Sequence, residues 1–155
     1  MIAIKTGESV TFVHTIRINK LEANLAACLK NDGFFMAMYG NLLKRAQMYE
    51  EANKILVECT RLQPMSNIYL DMGDCYKQLG QYKKAEDAYV YSLRMVPSRI
   101  KPISSLAQLY LDIEKEDKAL QIIDYYLNCE NKKRTISSYE IELKLLEMRN
   151  QLKPN

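Results

Sequence analysis

From Gly33 to Asn131, apolar residues recur three and four apart, the spacing of one buried face on an α-helix. The pattern comes in copies. The first runs Met36, Tyr39, Gly40, Leu43, then Ala52, Leu56 and Pro64. The second runs Tyr69, Met72, Gly73, Tyr76, then Ala85, Tyr89 and Pro97. The third runs Ile103, Leu106, Ala107, Tyr110, then Ala119 and Ile123. Gly40 and Gly73 are 33 residues apart, and Gly73 and Ala107 are 34 apart. Each copy predicts two helices of about 14 residues. Gly40 and Gly73 let a neighbouring helix approach, and Ala52, Ala85 and Ala119 do the same on the second helix. The bulkier Tyr76, Tyr89, Tyr110, Leu56 and Ile123 fill the space around them. Gly80 suits the turn inside the second copy, and Pro64 and Pro97 stop the second helices.

The ends carry less of the pattern. Ile18, Leu21, Leu25 and Cys28 share one helical face, so residues from Thr15 to Asn31 read as one further helix, the second half of an incomplete repeat. The first dozen residues read as a tail. Near the other end, Ser137 and Glu140 have capping-box spacing, and Ile141, Leu145, Met148 and Leu152 form a stripe. A final helix over Ser137–Leu152 would cover the last copy's apolar face. The expected layout is a tail over 1–13, a partial-repeat helix over 14–32, repeats over 33–65, 66–99 and 100–133, and a capping helix over 134–155.

Composition narrows the functional classes. The chain has 155 residues, 48% hydrophobic and 26% charged, the balance of a globular domain. A net charge of +3 gives little pull on a polyanion. No stretch reaches the roughly 20 apolar residues that span a bilayer. The first residues lack the apolar core and small-residue end of a secretory signal. Cys28, Cys59, Cys75 and Cys129 form no CxxC pair, and His14 is the single histidine, so no metal site or cofactor is expected. The cysteines read as small buried residues, with a Cys59–Cys75 disulfide as the alternative. His14 stands away from any nucleophile, and Glu114, Glu116 and Asp117 read as solvated charge at a turn, so no catalytic residue is identified. The basic run before the last helix, NKKRT, reads as a solvated loop, with a polyanion or anionic-lipid contact as the alternative.

The three copies resemble the tetratricopeptide repeat, with its W-x2-L-G-x2-Y…A-x3-F…P pattern and period of 34. The second copy fits best. The first has Leu43 where an aromatic is usual, and the third has Asn131 near the place of the closing proline. The resemblance implies an all-α, right-handed superhelix of three helix pairs with a flanking helix at each end. It also implies that partners bind along a concave face lined by the first helix of each repeat. On that register the lining is Phe34, Asn41, Lys44 and Arg45, then Leu70, Asp74 and Lys77, then Lys101 and Gln108. Phe34 and Leu70 supply apolar contact there, and Asn41, Lys44, Lys77, Lys101 and Gln108 polar contact.

Repeat proteins of this class that clamp a peptide's terminal carboxylate use Lys, Asn and Arg at set places. Asn41 and Lys101 match two of them, but Ala37, Asp71 and Ser105 stand at the others, and an aspartate there repels a carboxylate. The mixed charges of Lys44, Arg45, Lys77, Asp74 and Asp112 do not suit nucleic acid.

Longer phrases, including NDGFFMAMYGNLL, YEEANKIL and YLDMGDCYKQLGQYKKAEDAYVYSLRMVPSRIKP, resemble the soluble C-terminal region of bacterial O-antigen ligase or polymerase-like membrane proteins. That resemblance implies a scaffold role beside surface-polysaccharide machinery and no transferase chemistry in this chain. Localisation stays open between the cytoplasm and a membrane reached through a preceding membrane region. The expected function is a non-enzymatic module that binds a protein or peptide. The alternative is self-association through the partial repeat at the N-terminus, around Leu21 and Leu25.

Overall fold

Apolar positions three and four apart become helices wherever the chain is described. A computed structural model describes residues 32–129 and 135–153. The described residues form seven helices and no strand: α1 Gly33–Arg45, α2 Tyr49–Leu62, α3 Ser66–Gln78, α4 Tyr82–Met95, α5 Ile100–Asp112, α6 Glu116–Leu127 and α7 Ile136–Leu152. The fold class is all-α, as the periodicity predicts. The expected tail, the helix over Thr15–Asn31, His14, Cys28 and the Leu21/Leu25 edge lie outside the described residues, as does most of the NKKRT link. The chain divides into two units, Met1–Pro64 and Met65–Asn155.

In the first unit α1 and α2 pack as a pair. Met36, Tyr39, Gly40 and Leu43 are buried on α1, and Ala52, Leu56 and Cys59 on α2. A methyl group on Gly40 would lie 2.6 Å from Leu56 Cδ2, so glycine there is a condition of the contact. Asp32 caps α1, its carboxylate accepting from the Phe34 N–H at 2.8 Å. α2 ends at Leu62, before Pro64.

In the second unit α3 packs with α4, α5 with α6, and α7 against the α5–α6 pair. One apolar cluster joins Ala85 and Tyr89 of α4 to Leu106, Leu109 and Tyr110 of α5 and Ala119 of α6. A second joins Ile100, Ile103 and Ala107 to Ile123, Tyr126, Leu145 and Met148. A methyl group on Gly73 would enter the ring of Tyr89. α4 ends at Met95, before Pro97.

The turns within the three pairs share one geometry. Gln47, Gly80 and Glu114 stand at the same place in their copies and all have positive φ, at 63°, 70° and 57°. In each, the next residue's N–H bonds back five positions: Met48 to Leu43 O, Gln81 to Tyr76 O and Lys115 to Tyr110 O, at 3.0, 2.9 and 2.8 Å. This is the Schellman closure of a helix, which glycine performs without strain.

Two local expectations are corrected. The cap of α7 is Thr135, not Ser137: the Ser138 N–H donates to Thr135 Oγ1 at 3.1 Å, and the Thr135 N–H donates to Ser138 Oγ at 2.7 Å. Threonine and serine complete the box two residues earlier than the Ser–Glu pair would, because Ser138 is buried and its hydroxyl needs the partner. The alternative of a Cys59–Cys75 disulfide fails, since both are buried free thiols. The Cys59 thiol donates to the Gly33 carbonyl at 3.0 Å, and burial pushes its pKa up.

Candidate functional site: the α3–α5 face

α3 and α5 turn their apolar sides to the clusters of the second unit and carry polar side chains beside them. Asp74 on α3 accepts a hydrogen bond from the Tyr89 hydroxyl at 2.8 Å. Burial first, then the Asp74 charge and hydrogen bond, push that phenol far above its usual pKa, while Ser105 pulls the other way. One turn further along α3, Lys77 pairs with Asp112 of α5 at 2.6 Å, and Gln108 Nε2 donates to the same carboxylate at 2.9 Å. Burial opposes the charge on Asp112. The bonds from Lys77 and Gln108, together with the Lys77 charge, outweigh it and hold the carboxyl below the usual range.

Asp74, Lys77, Gln108 and Asp112 are therefore a braced set, not four loose side chains. Lys101 opens α5 and is exposed. Leu70 is half-buried against the Ala85–Tyr89–Leu106 cluster, so it offers only part of its side chain to a partner. In the first unit the predicted residues lie on α1. Phe34 is 61% exposed and meets Phe35 edge to face at 6.3 Å between centroids. Arg45 is exposed, and Asn41 and Lys44 are half-buried and engaged in interactions of their own.

Sequence reasoning missed a second polar cluster, on α4. Glu86 accepts from the Tyr110 hydroxyl at 2.9 Å and lies within 3.6 Å of Lys118 and 3.7 Å of Lys83. Burial raises the Glu86 pKa, but Tyr110, Lys118 and Lys83 together bring it below the usual carboxylate range. Burial and then Glu86 push the Tyr110 hydroxyl up to about 12. Lys118 also stands over the Tyr110 ring at 5.4 Å, as Lys84 stands over Tyr76 at 5.6 Å. A repeat step separates each of the two lysines and each of the two tyrosines, which is the signal that would have found them.

No three His, Cys, Asp or Glu side chains among the described residues gather as a metal site would require. No helix among them is long and apolar enough to cross a membrane.

A family model described as tetratricopeptide repeat matches residues 66–95, which are α3 and α4 with their turn. No curated protein sequence matches the chain. Among solved structures, the type III secretion translocator chaperone SycD of Yersinia enterocolitica is similar with a TM-score of 0.70 and 18% identity, over 83% of this chain and 96% of that one. SycD in complex with a peptide of the translocator YopD is similar at 0.68 and 19%, over 76% and 88%. MamA residues 41 to the end, from Desulfovibrio magneticus, are similar at 0.70 and 16%, over 82% and 72%. Residues 66–95 match the tetratricopeptide repeat, and the described residues share the all-helical repeat fold of these structures.

Proposed function

We propose that this chain is a non-enzymatic module that binds a peptide segment of another protein, and that the α3–α5 face of the second unit is its binding surface. The observation that carries the reading is the bracing of Asp74, Lys77, Gln108 and Asp112 by Tyr89 and by one another. Side chains held in place beforehand lose little freedom when a partner docks, which favours affinity. The solved complex of SycD with a YopD peptide supports the class of partner. On this face Lys101 and Gln108 make polar contact and the exposed edge of Leu70 makes apolar contact. Phe34, Asn41, Lys44 and Arg45 form a separate proposed patch on α1.

Lys77 is a poor choice for testing the idea. Its change to Glu would set two carboxylates against each other and disturb the packing of α3 on α5. Lys101→Glu with Gln108→Ala is cleaner. Short peptides selected from a displayed random library on the wild-type chain should bind the double variant about tenfold or more weakly by fluorescence anisotropy, a loss of ~1.4 kcal/mol. Selected peptides that bind both equally would remove the α3–α5 face from consideration.

A second reading keeps the same module and proposes surface-polysaccharide assembly as its setting, favoured by the phrase Met95–Pro102 that resembles O-antigen ligase-like proteins. In the fold that phrase ends α4, places Arg99 Nη1 3.4 Å from Ser66 Oγ and buries Pro102 at the start of α5. Packing thus accounts for much of the phrase, so the broader module is the preferred conclusion.

A further inference from the structure

α7 is apolar on two opposite faces. One face, with Ser138, Leu145 and Met148, is buried against α5 and α6. The other carries Ile136, Tyr139 and Leu143, which are 88%, 63% and 44% exposed, and continues to half-buried Leu146. A helix that only caps a repeat needs one apolar face, with a polar side turned to water. Ile136, Tyr139, Leu143 and Leu146 are spaced three, four and three apart, which is the a–d–a–d seam of a coiled coil. The positions flanking that seam are Glu140, Glu142 and Glu147, with Arg149 alone of opposite sign. Arg149 is already paired with Asp124 at 3.0 Å.

The charges choose among occupants. A second copy of α7 laid parallel on the seam would bring Glu142 toward Glu147 of that copy. Laid antiparallel, it would set Glu140 against Glu147 of that copy, and its one attractive contact, Glu142 with Arg149 of that copy, would compete with the Asp124 that Arg149 already holds. Like charges at these flanking positions oppose pairing. A helix with an apolar seam and lysine or arginine at its own flanking positions meets Glu140 and Glu147 favourably. We propose that the outer face of α7 docks a basic amphipathic helix of another protein, at a surface separate from the α3–α5 face.

The test uses the full chain and two synthetic helical peptides of about three heptads with the same Ile/Leu seam. One carries lysine at its flanking positions and the other carries glutamate. Fluorescence anisotropy should show the lysine peptide binding about tenfold or more tightly than the glutamate peptide, with the difference shrinking as salt rises. Tyr139→Asp and Leu143→Asp should each weaken the lysine peptide by about tenfold. Both side chains are exposed, so both variants should keep the wild-type melting temperature. Leu62→Asp, the same kind of change at an exposed apolar residue of α2, should leave the affinity unchanged. Equal binding of the two peptides, or no binding of either, overturns the proposal. Binding that the α7 variants do not weaken also overturns it. So does a dimer in light scattering that Leu143→Asp dissociates, because the occupant would then be a second copy.

Discussion

Gln47, Gly80 and Glu114 all occupy the left-handed region, yet only one is glycine. For a residue with a side chain that conformation costs roughly 1–2 kcal/mol, while glycine adds about 0.5–1 kcal/mol of unfolded-state entropy. Glu114→Gly should therefore stabilise the chain by up to ~1 kcal/mol. Glu114→Ala, which keeps the strain, should gain nothing. Urea midpoints at constant slope would show this, and an equal gain for both variants would point to removal of the charge instead. Gly73 tests the opposite sign. Alanine is the better helix former by about 0.8–1 kcal/mol, but its methyl would enter the Tyr89 ring. Overpacking of that kind costs about 1–3 kcal/mol, so Gly73→Ala should lower the urea midpoint, and a raised midpoint would mean that Tyr89 has room to move. The small positions were legible because a glycine or alanine recurring among apolar residues at a repeat step has little other use in a helix. The strain at Gln47 and Glu114 was not legible, because polar residues at a turn look ordinary until the backbone is seen.

Each helix pair is also fastened where its first helix begins and its second ends. In the second unit Ser92 Oγ donates to the Ser66 carbonyl at 2.7 Å, Ser66 Oγ lies 3.0 Å from the Ser92 carbonyl, and the two hydroxyls are 2.9 Å apart. In the first unit Cys59 and Gly33 hold the same places, and the thiol alone makes the bond. In the third copy Ile100 and Tyr126 stand there, and both join the apolar cluster. One fastening is thus made three ways. Ser66→Ala and Ser92→Ala should each cost about 0.5–1.5 kcal/mol. A double-mutant cycle should give a coupling of about 0.5 kcal/mol or more, since the hydroxyls share one buried site. A coupling near zero would mean that each serine acts only through the other's backbone. The helices around this fastening were legible from periodicity alone. The fastening itself was not, because a serine in an amphipathic pattern reads as surface. The same limit applies to the α3–α5 face: the repeat register placed Asp74, Lys77 and Gln108 on one surface. The pairing of Lys77 with Asp112 joins side chains on separate helices, which no single-helix pattern reveals.

Over the molecule as a whole, the polar links that tie α3 and α4 to α5 and α6 set the pH range in which the second unit is stable. Asp112 and Glu86 have carboxyls held below their usual values of 3.8 and 4.5. Their contribution is complete above those values and is lost as pH falls through the lowered ones, because the unfolded chain then binds protons more readily. Tyr110 works at the other limit. Its pKa is raised from 10.0 to about 12, first by burial and then by Glu86. A raised value means the folded state keeps its proton longer, so this contribution is complete below pH 10 and is lost as pH rises toward about 12. Tyr110→Phe removes the titrating hydroxyl and keeps the ring under Lys118. The wild type should thus lose melting temperature between pH 10 and about 12 more steeply than the variant. At acid pH the variant should again show the shallower loss, since Glu86 no longer receives the hydroxyl that lowers its pKa. Parallel curves at both ends would mean that the Tyr110–Glu86 bond carries no titration-linked stability. The alkaline limit would then rest on Tyr89, whose hydroxyl is held by Asp74 and whose own substitution by Phe would be the deciding comparison.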